Sequence, residues 1–342
     1  MAADEAVYAG TVLAGADYEP VRGRVVVADG EIQAVEEASV DSTDIICPAF
    51  VNAHTHVGDS IAKDAGRGLS LVELVAPPDG LKHRLLEAAS PDELVAGMRR
   101  SARQMAATGT AAFIDFREGG VVGVDQLREA VEGLAIEAQA YGRGPSEVLE
   151  VADGYGAPSA RDGDFEAQRG AARAAGKPFA VHAGEADPDD IDGGFELDPD
   201  HLVHMVHPEP RHLDRLEETG TPVVVCPRSN AVTGVGTPPV AELVERTAVA
   251  LGTDNVMLNG PSMFREMAWT AKQSDVADVE VLRMATRAGA ELAGLDAGIV
   301  EPGRAAKLVV LDGAGDNLAG TEDPVRSVVR RAGAADVVDV VG

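Results

Sequence analysis

Two histidines, His54 and His56, end an apolar stretch that begins at Pro48. The stretch is rich in residues that favour strands, and alternate residues of a strand share a face, so both imidazoles would point the same way. Two imidazoles that converge from one strand end can bind the same metal ion. A His-x-His pair is also a frequent chance motif, so for the pair alone two unrelated histidines near a turn remain the alternative.

Three more metal-competent residues follow β-like runs later in the chain: His182, His204 and Asp254. A lone histidine at a strand end is more often a hydrogen-bonded structural residue than a ligand. Five such residues at the ends of four predicted strands are hard to produce by chance. Together they indicate one shared metal site.

The pattern of residues 48–300 predicts how these side chains are positioned. Eight β-like runs alternate with helical patterns, among them an amphipathic helix over residues 91–107 with Ser90 as its N-cap. This alternation predicts an α/β fold, a (β/α)₈ TIM barrel, in which the carboxyl ends of all strands meet on one face. A doubly wound open sheet is the alternative, but no Gly-x-Gly-x-x-Gly follows an early strand.

The two ends of the chain have a different pattern, in which short β-like runs are separated by turn residues. Asp29-Gly30 between two such runs predicts a hairpin. We predict that residues 1–47 and residues 301–342 pair into one small composite β-sandwich, which leaves residues 48–300 as the barrel domain.

The composition restricts the partners and the compartment. The chain has 57 acidic and 29 basic residues, a net charge of −28, which opposes binding to nucleic acid and to anionic membranes. No apolar run approaches the length of a membrane span, and residues 1–5 lack the features of a signal peptide. Cys47 and Cys226 are far apart in the sequence, as expected of buried thiols in a reducing, cytoplasmic compartment.

The acidity also predicts a response to salt. A protein kept soluble in concentrated salt needs an acidic, lysine-poor surface, since salt screens its self-repulsion. We therefore expect the melting temperature to keep rising between low and molar potassium chloride, beyond the range in which simple screening is complete. A flat or falling melting temperature would indicate an ordinary acidic protein instead.

Five segments resemble the amidohydrolase superfamily, and within it the branch of cytosine deaminases, S-adenosylhomocysteine deaminases and chlorohydrolases. They are residues 48–56, 181–185, 202–204, 226–230 and 251–254. The resemblance covers nearly the whole chain, since both termini are similar to the composite β-sandwich of that group. It implies that His54, His56, His182 and Asp254 hold one divalent metal ion per chain, with Zn²⁺ preferred and Fe²⁺ as the alternative.

The same resemblance implies that Glu185 is the proton shuttle and that His204 positions or polarises the attacking water. The chemistry is consistent with these roles, because three imidazoles and a carboxylate leave a metal position for a water of lowered pKa. Asp254 could then accept a proton from that water. The alternative for Glu185 is a solvated loop acid, and His201 or His207 could replace His204.

The metal count follows from a missing lysine. Binuclear members of the superfamily bridge two metals with a carboxylated lysine at the end of strand four. No lysine lies between Lys82 and Lys177, and Lys177 precedes the predicted strand five. We therefore predict a mononuclear site, which disfavours dihydroorotase-like and hydantoinase-like chemistry.

The segment after strand one departs from the branch that acts on S-adenosylhomocysteine or chlorotriazines. That branch usually carries Trp-Leu and Pro-x-Glu segments there, whereas residues 58–82 contain no tryptophan. The substrate pocket must therefore differ. We predict Arg117 as a substrate-binding residue, together with Asp59 and Lys63, which follow the histidine pair.

These observations predict a metal-dependent hydrolase that acts on a non-peptide C–N bond of a small molecule. The preferred reaction is deamination of a heterocyclic amidine such as an aminopurine, a pyrimidine or a pterin. Hydrolysis of a cyclic amide, of the imidazolonepropionase type, is the second interpretation. A non-catalytic binding protein is the third, although such relatives usually lose ligands. The sequence leaves open whether the chain forms a homo-oligomer.

Overall fold

A computed structural model describes residues 5–342 of the protein. Residues 1–4, on which most of the signal-peptide expectation rests, lie outside the described residues. The strands, numbered in chain order, are β1 (Glu5–Ala14), β2 (Glu19–Ala28), β3 (Glu31–Glu37), β4 (Ile45–Pro48), β5 (Phe50–His56), β6 (Thr110–Arg117), β7 (Glu137–Gly142), β8 (Gly154–Ser159), β9 (Phe179–Ala183), β10 (His201–His204), β11 (Val223–Val225), β12 (Val249–Leu251), β13 (Asp254–Asn255), β14 (Leu308–Leu311) and β15 (Val337–Val341).

Thirteen α-helices lie within residues 5–342. They are α1 (Leu71–Val75), α2 (Leu81–Ala88), α3 (Pro91–Ala107), α4 (Gly120–Val131), α5 (Glu166–Ala175), α6 (Ile191–Glu196), α7 (Pro210–Thr219), α8 (Pro227–Thr233), α9 (Val240–Val244), α10 (Met263–Gln273), α11 (Asp278–Ala285), α12 (Arg287–Leu292) and α13 (Pro324–Arg330). None of the helices within residues 5–342 combines the length and the apolar character needed to cross a bilayer.

The larger sheet has the strand order β12-β11-β10-β9-β8-β7-β6-β5-β13. Neighbouring strands from β6 to β12 are parallel, and β13 is parallel to β5. The two end strands, β12 and β13, are separated by only Gly252 and Thr253, so they are two segments of one eighth strand and the sheet closes on itself. The predicted TIM-barrel-like fold is confirmed.

Local sequence accounts for the barrel elements. The strands are buried and apolar, as in Val223–Val225, all of which are fully buried. Helix α3 has the bounds that the sequence predicted, because Ser90 and Glu93 form a capping box at its start. The Ser90 N–H donates to Glu93 Oε2 at 2.9 Å, and the Glu93 N–H donates to Ser90 Oγ at 3.3 Å.

The smaller sheet joins strands from both ends of the chain in the order β15-β14-β4-β1-β2-β3. The predicted hairpin connects β2 to β3, with φ values of 54° at Asp29 and 78° at Gly30, which Asp-Gly tolerates well. One face packs around a core that includes Val25, Ile46 and Leu308. Both termini contribute as predicted, but their strands form one mixed sheet instead of the two stacked sheets of a sandwich.

The chain forms two compact units. One contains Val51 and the described residues before it, Met105–Ala111 and Ser262–Gly342; the other contains Asn52–Gln104 and Ala112–Pro261. The unit with both termini therefore also contains residues 262–300, which the sequence pattern assigned to the barrel. Domain boundaries at residues 47 and 300 stay a prediction.

Candidate metal centre and active site

Four side chains that the sequence predicted as metal ligands converge at the carboxyl ends of their strands. His54 Nε2 lies 3.3 Å from His182 Nε2 and 3.4 Å from Asp254 Oδ1. His56 Nε2 lies 3.6 Å from the same Asp254 oxygen. His54, His56 and Asp254 are buried, and His182 is half-buried. The structure thus brings together residues that are up to 200 positions apart in the sequence, since Asp254 follows His54 by that number.

The hydrogen bonds of these imidazoles leave lone pairs aimed at one another. His56 Nδ1 lies 3.1 Å from the Phe116 carbonyl oxygen, and His182 Nδ1 lies 2.9 Å from the Ala157 carbonyl oxygen. A carbonyl only accepts, so each Nδ1 carries the hydrogen and each Nε2 carries a lone pair.

Burial also keeps these rings uncharged. It lowers the pKa of His54 to about 4 and the pKa of His56 and His182 well below the ordinary value. Neutral imidazoles and a carboxylate that converge in this way are the donor set that a divalent cation requires. The residues present therefore fit one divalent metal ion.

Asp254 is held in place from both sides. Ser229 Oγ donates to Asp254 Oδ2 at 2.5 Å, and Asn255 Nδ2 donates to Asp254 Oδ1 at 2.9 Å. The φ angle of Asp254 is 58°, a left-handed conformation that costs a non-glycine residue about 1–3 kcal/mol. The surrounding contacts must offset this strain, as is common at functional sites.

Glu185 and His204 lie beside the four predicted ligands and contact each other. Glu185 Oε2 is 3.4 Å from His204 Nε2, and Asn230 Nδ2 is 3.4 Å from Glu185 Oε1 and 3.3 Å from His204 Nδ1. Ligand atoms of Glu185, His204 and Asp254 all lie within 4.8 Å of one another. Burial raises the pKa of Glu185 to about 7. A carboxyl group with this pKa can exchange a proton near neutral pH.

The two other histidines considered for the role of His204 are engaged elsewhere. The His201 ring packs against Tyr141 and Phe116, with ring centroids 5.8 Å and 6.5 Å away. His207 Nε2 lies 2.7 Å from the Val235 carbonyl oxygen. His204 is the member of the three that lines the cavity described next.

A cavity of about 160 Å³ opens over this cluster. Its floor is polar and is formed by His56, His182, Glu185, His204 and Asp254. One wall is apolar and is formed by α1 and the residues that follow it, and another wall carries cationic side chains. These walls include Leu71, Val72, Val75, Ala76, Pro77, Lys82 and Arg143.

The sequence matches the amidohydrolase family model over residues 45–341. This chain belongs to the amidohydrolase family. A Methanothermobacter thermautotrophicus protein that carries the provisional name aminohydrolase is 35% identical, with the match covering 97% of this chain and 96% of that protein. The 5-methylthioadenosine/S-adenosylhomocysteine deaminase of Halobacterium salinarum is 28% identical, over 91% of this chain and 83% of that enzyme.

A solved structure shows the same fold. The zinc-bound adenosine deaminase from Xanthomonas campestris superposes with a TM-score of 0.82 at 21% identity, covering 97% of this chain and 90% of that chain. The resemblance to the deaminase and chlorohydrolase branch is confirmed. The amidohydrolase is a hydrolase that acts on C–N bonds other than peptide bonds.

The structure places the three predicted substrate-binding residues of the amidohydrolase away from the cavity lining. Arg117 is buried against carboxylates, with Nη2 2.6 Å from Glu118 Oε2, and Lys63 is exposed. Asp59 is buried, and its Oδ1 accepts from the Met257 N–H at 3.0 Å. The geometry gives no support to substrate contacts by these side chains, because the pairing and burial of two of them direct their polar atoms elsewhere.

Sequence reasoning missed one residue that lines the cavity. Lys82 lies in the cavity wall, and a buried lysine in a chain with only five lysines was the available signal. Glu118 lies 3.2 Å from His56 Nδ1 through its Oε1. Its position directly after β6, on the ligand-bearing face of the barrel, marks Glu118 in the sequence as a residue near the site.

Proposed function

We propose that this amidohydrolase removes an exocyclic amino group from a small heterocyclic amidine by hydrolysis, at a single divalent metal ion. Zn²⁺ is the preferred metal and Fe²⁺ the alternative. The observation that carries the proposal is the contact of the half-buried Glu185 with the buried His204, beside the predicted ligand set and in the lining of the same cavity. The names of relatives such as the Halobacterium salinarum deaminase support the same class of reaction.

The proposal assigns separate tasks to the ligands and to the proton-transfer groups. His54, His56, His182 and Asp254 would hold the metal, which when bound supplies Lewis-acid activation of water at neutral pH. Glu185 donates a proton to the ring nitrogen next to the reacting carbon and later carries one to the leaving amine. A carboxyl group with a pKa of about 7 is suited to both transfers.

His204 and Asn230 act on the water side of the cavity. The Asn230 amide donates towards His204 Nδ1, so His204 Nε2 carries the hydrogen and points to Glu185. An imidazole N–H in that position can orient the oxygen that attacks the ring. Asn230 also lies against Glu185 Oε1, so one amide fixes the spacing of both groups.

Two placements support the single-metal form. β8, the fourth barrel strand, ends at Ser159, and Ser159 Oγ donates to Asp190 Oδ2 at 2.5 Å. Lys177 precedes β9 and donates from Nζ to the Leu149 and Ala152 carbonyl oxygens, each at 2.6 Å. A lysine engaged in this way is not positioned to bridge two metals.

The reaction class is tested by measuring ammonia release. The metal-loaded enzyme is incubated with a panel of aminopurines, cytosines, pterins and imidazolones. Ammonia release is measured, and the mass of each product is determined by mass spectrometry. We expect stoichiometric ammonia and a product in which a hydroxyl replaces the amino group. A product that gains the mass of a whole water without ammonia would instead indicate opening of a cyclic amide. Protein stripped of metal serves as the control.

A further inference from the structure

Lys82 is a buried cation in the wall of the substrate cavity. Its side chain is 2% exposed, although its neighbours Leu81 and His83 on α2 are only half-buried. Taking an ammonium out of water costs free energy unless anions and hydrogen-bond acceptors surround it. The partners of Lys82 therefore indicate whether its ammonium can bind a further ligand in the cavity.

Two described partners engage the ammonium. Lys82 Nζ lies 2.6 Å from Glu118 Oε1 and 3.2 Å from Asn255 Oδ1. An ammonium has three N–H groups, so these partners leave the third for a ligand in the cavity that Lys82 lines. Asn255 in turn donates to Asp254 Oδ1 at 2.9 Å. The ammonium is thus linked through one side chain to the predicted metal ligand.

Glu118 cannot neutralise Lys82 alone, because it is shared among several cations. Its Oε1 also lies 3.3 Å from Arg143 Nη1, and its Oε2 lies 2.6 Å from Arg117 Nη2. Arg117 has one further carboxylate partner, Asp115, at 3.4 Å. In this group of contacting side chains, three cations face two carboxylates.

A nearby third carboxyl group does not remove the excess. Asp59 is fully buried, and burial raises its pKa well above the usual range, which favours the uncharged form. The group of contacting side chains that includes Lys82 and Arg143 therefore carries a net positive charge, although Asp162 and Asp190 also line the cavity. This stands out in a chain whose formal net charge is −28.

The volume of the cavity indicates the size of the ligand that Lys82 could bind. Its volume of about 160 Å³ is close to the roughly 150 Å³ that holds one benzene molecule in an engineered cavity. One ring with a small substituent fills such a space. The apolar wall from Leu71 and Val75 would cover the ring face.

We propose that the substrate is a small heterocyclic amidine that bears a carboxylate, and that the free N–H of Lys82 binds this carboxylate. The inference rests on the proposed deaminase function and names its substrate class. Because Asn255 joins Lys82 to Asp254, the carboxylate would bind close to the predicted metal ligand and so close to the reacting carbon. Lys82 then makes the enzyme prefer rings that bear a carboxylate over uncharged rings.

Binding to the metal-free protein tests the role of Lys82 without turnover. The probes are pyrimidine-4-carboxylate, unsubstituted pyrimidine and cytidine monophosphate, and affinities are measured by isothermal titration calorimetry. We expect the wild-type protein to bind the carboxylate at least about tenfold more tightly than pyrimidine. Lys82→Met should abolish this preference, and Lys82→Arg should retain part of it. Lys272→Met, at an exposed position of α10, is the matched control.

Several outcomes would overturn the inference. Equal affinities of the wild-type protein for the carboxylate and for pyrimidine would do so, whether or not Lys82→Met folds. So would a preference that survives in Lys82→Met, or tighter binding of cytidine monophosphate than of the carboxylate.

Turnover separates this inference from the proposed function. Ammonia released with equal kcat/KM from neutral and carboxylated rings would uphold deamination and overturn the role of Lys82. A carboxylate preference that depends on Lys82, but with no ammonia from any carboxylated amidine, would uphold the binding site and overturn deamination.

Discussion

The Glu185→Gln variant is expected to keep the metal, and its kcat is expected to fall by a factor of about 10² to 10⁴. The substitution preserves the size of the side chain and removes the proton that Glu185 exchanges, while the ligand set of His54, His56, His182 and Asp254 stays intact. The measurements are metal content by elemental analysis and steady-state rates of ammonia release on the same preparation.

A matched control is Glu196→Gln, which changes an exposed acid on α6 by the same chemistry. We expect this variant to keep both metal and activity. Release of the metal by Glu185→Gln would show that Glu185 is a ligand and that its assignment to proton transfer is wrong. Full activity in Glu185→Gln would remove it from the reaction altogether.

His182→Ala and Asp254→Ala are expected to lose tight metal binding, and activity with it. Each substitution removes one of the donor atoms that face His54 across 3.3–3.4 Å. The remaining donors cannot complete a four-ligand site. The measurements are metal retained after dialysis against a weak chelator, and residual rate, which should fall to the level of metal-stripped protein.

The control for the histidine variant is His207→Gln, at a side chain that contacts the Val235 backbone. It should retain metal at the wild-type level. Metal bound by His182→Ala as tightly as by the wild-type protein would contradict the ligand assignment. Circular dichroism on each variant separates loss of the site from loss of the fold.

Much of the site could be predicted because its residues end strands that have a clear local pattern. His54 and His56 end a run of strand-forming residues, and Asp254 ends the last β-like run of the barrel. In a parallel barrel all such ends meet on one face, so sequence position is enough to place them together. Helix α3 was predictable for a similar reason, since its capping residues are adjacent in the sequence.

The remaining residues depend on tertiary packing that a local pattern does not encode. Arg117 and Glu118 are consecutive at the end of β6. Only the folded chain shows that Glu118 contacts His56, while Arg117 pairs with Glu118 and with Asp115. Lys82 reaches the cavity because α2 packs over it, and the sequence between β5 and α3 has no strong periodicity. The sequence did not predict that the terminal strands form a single sheet, because strand patterns do not reveal which strands share hydrogen bonds.

The most direct test of the central claim is the number of metal ions per chain. The wild-type protein, purified gently without chelators, is analysed for all divalent metals and then titrated with Zn²⁺ against a competing chelator. A single site built by His54, His56, His182 and Asp254 predicts one tightly held equivalent and a one-site titration that restores full activity. Two tightly held equivalents, or full activity in protein shown to contain no metal, would contradict it.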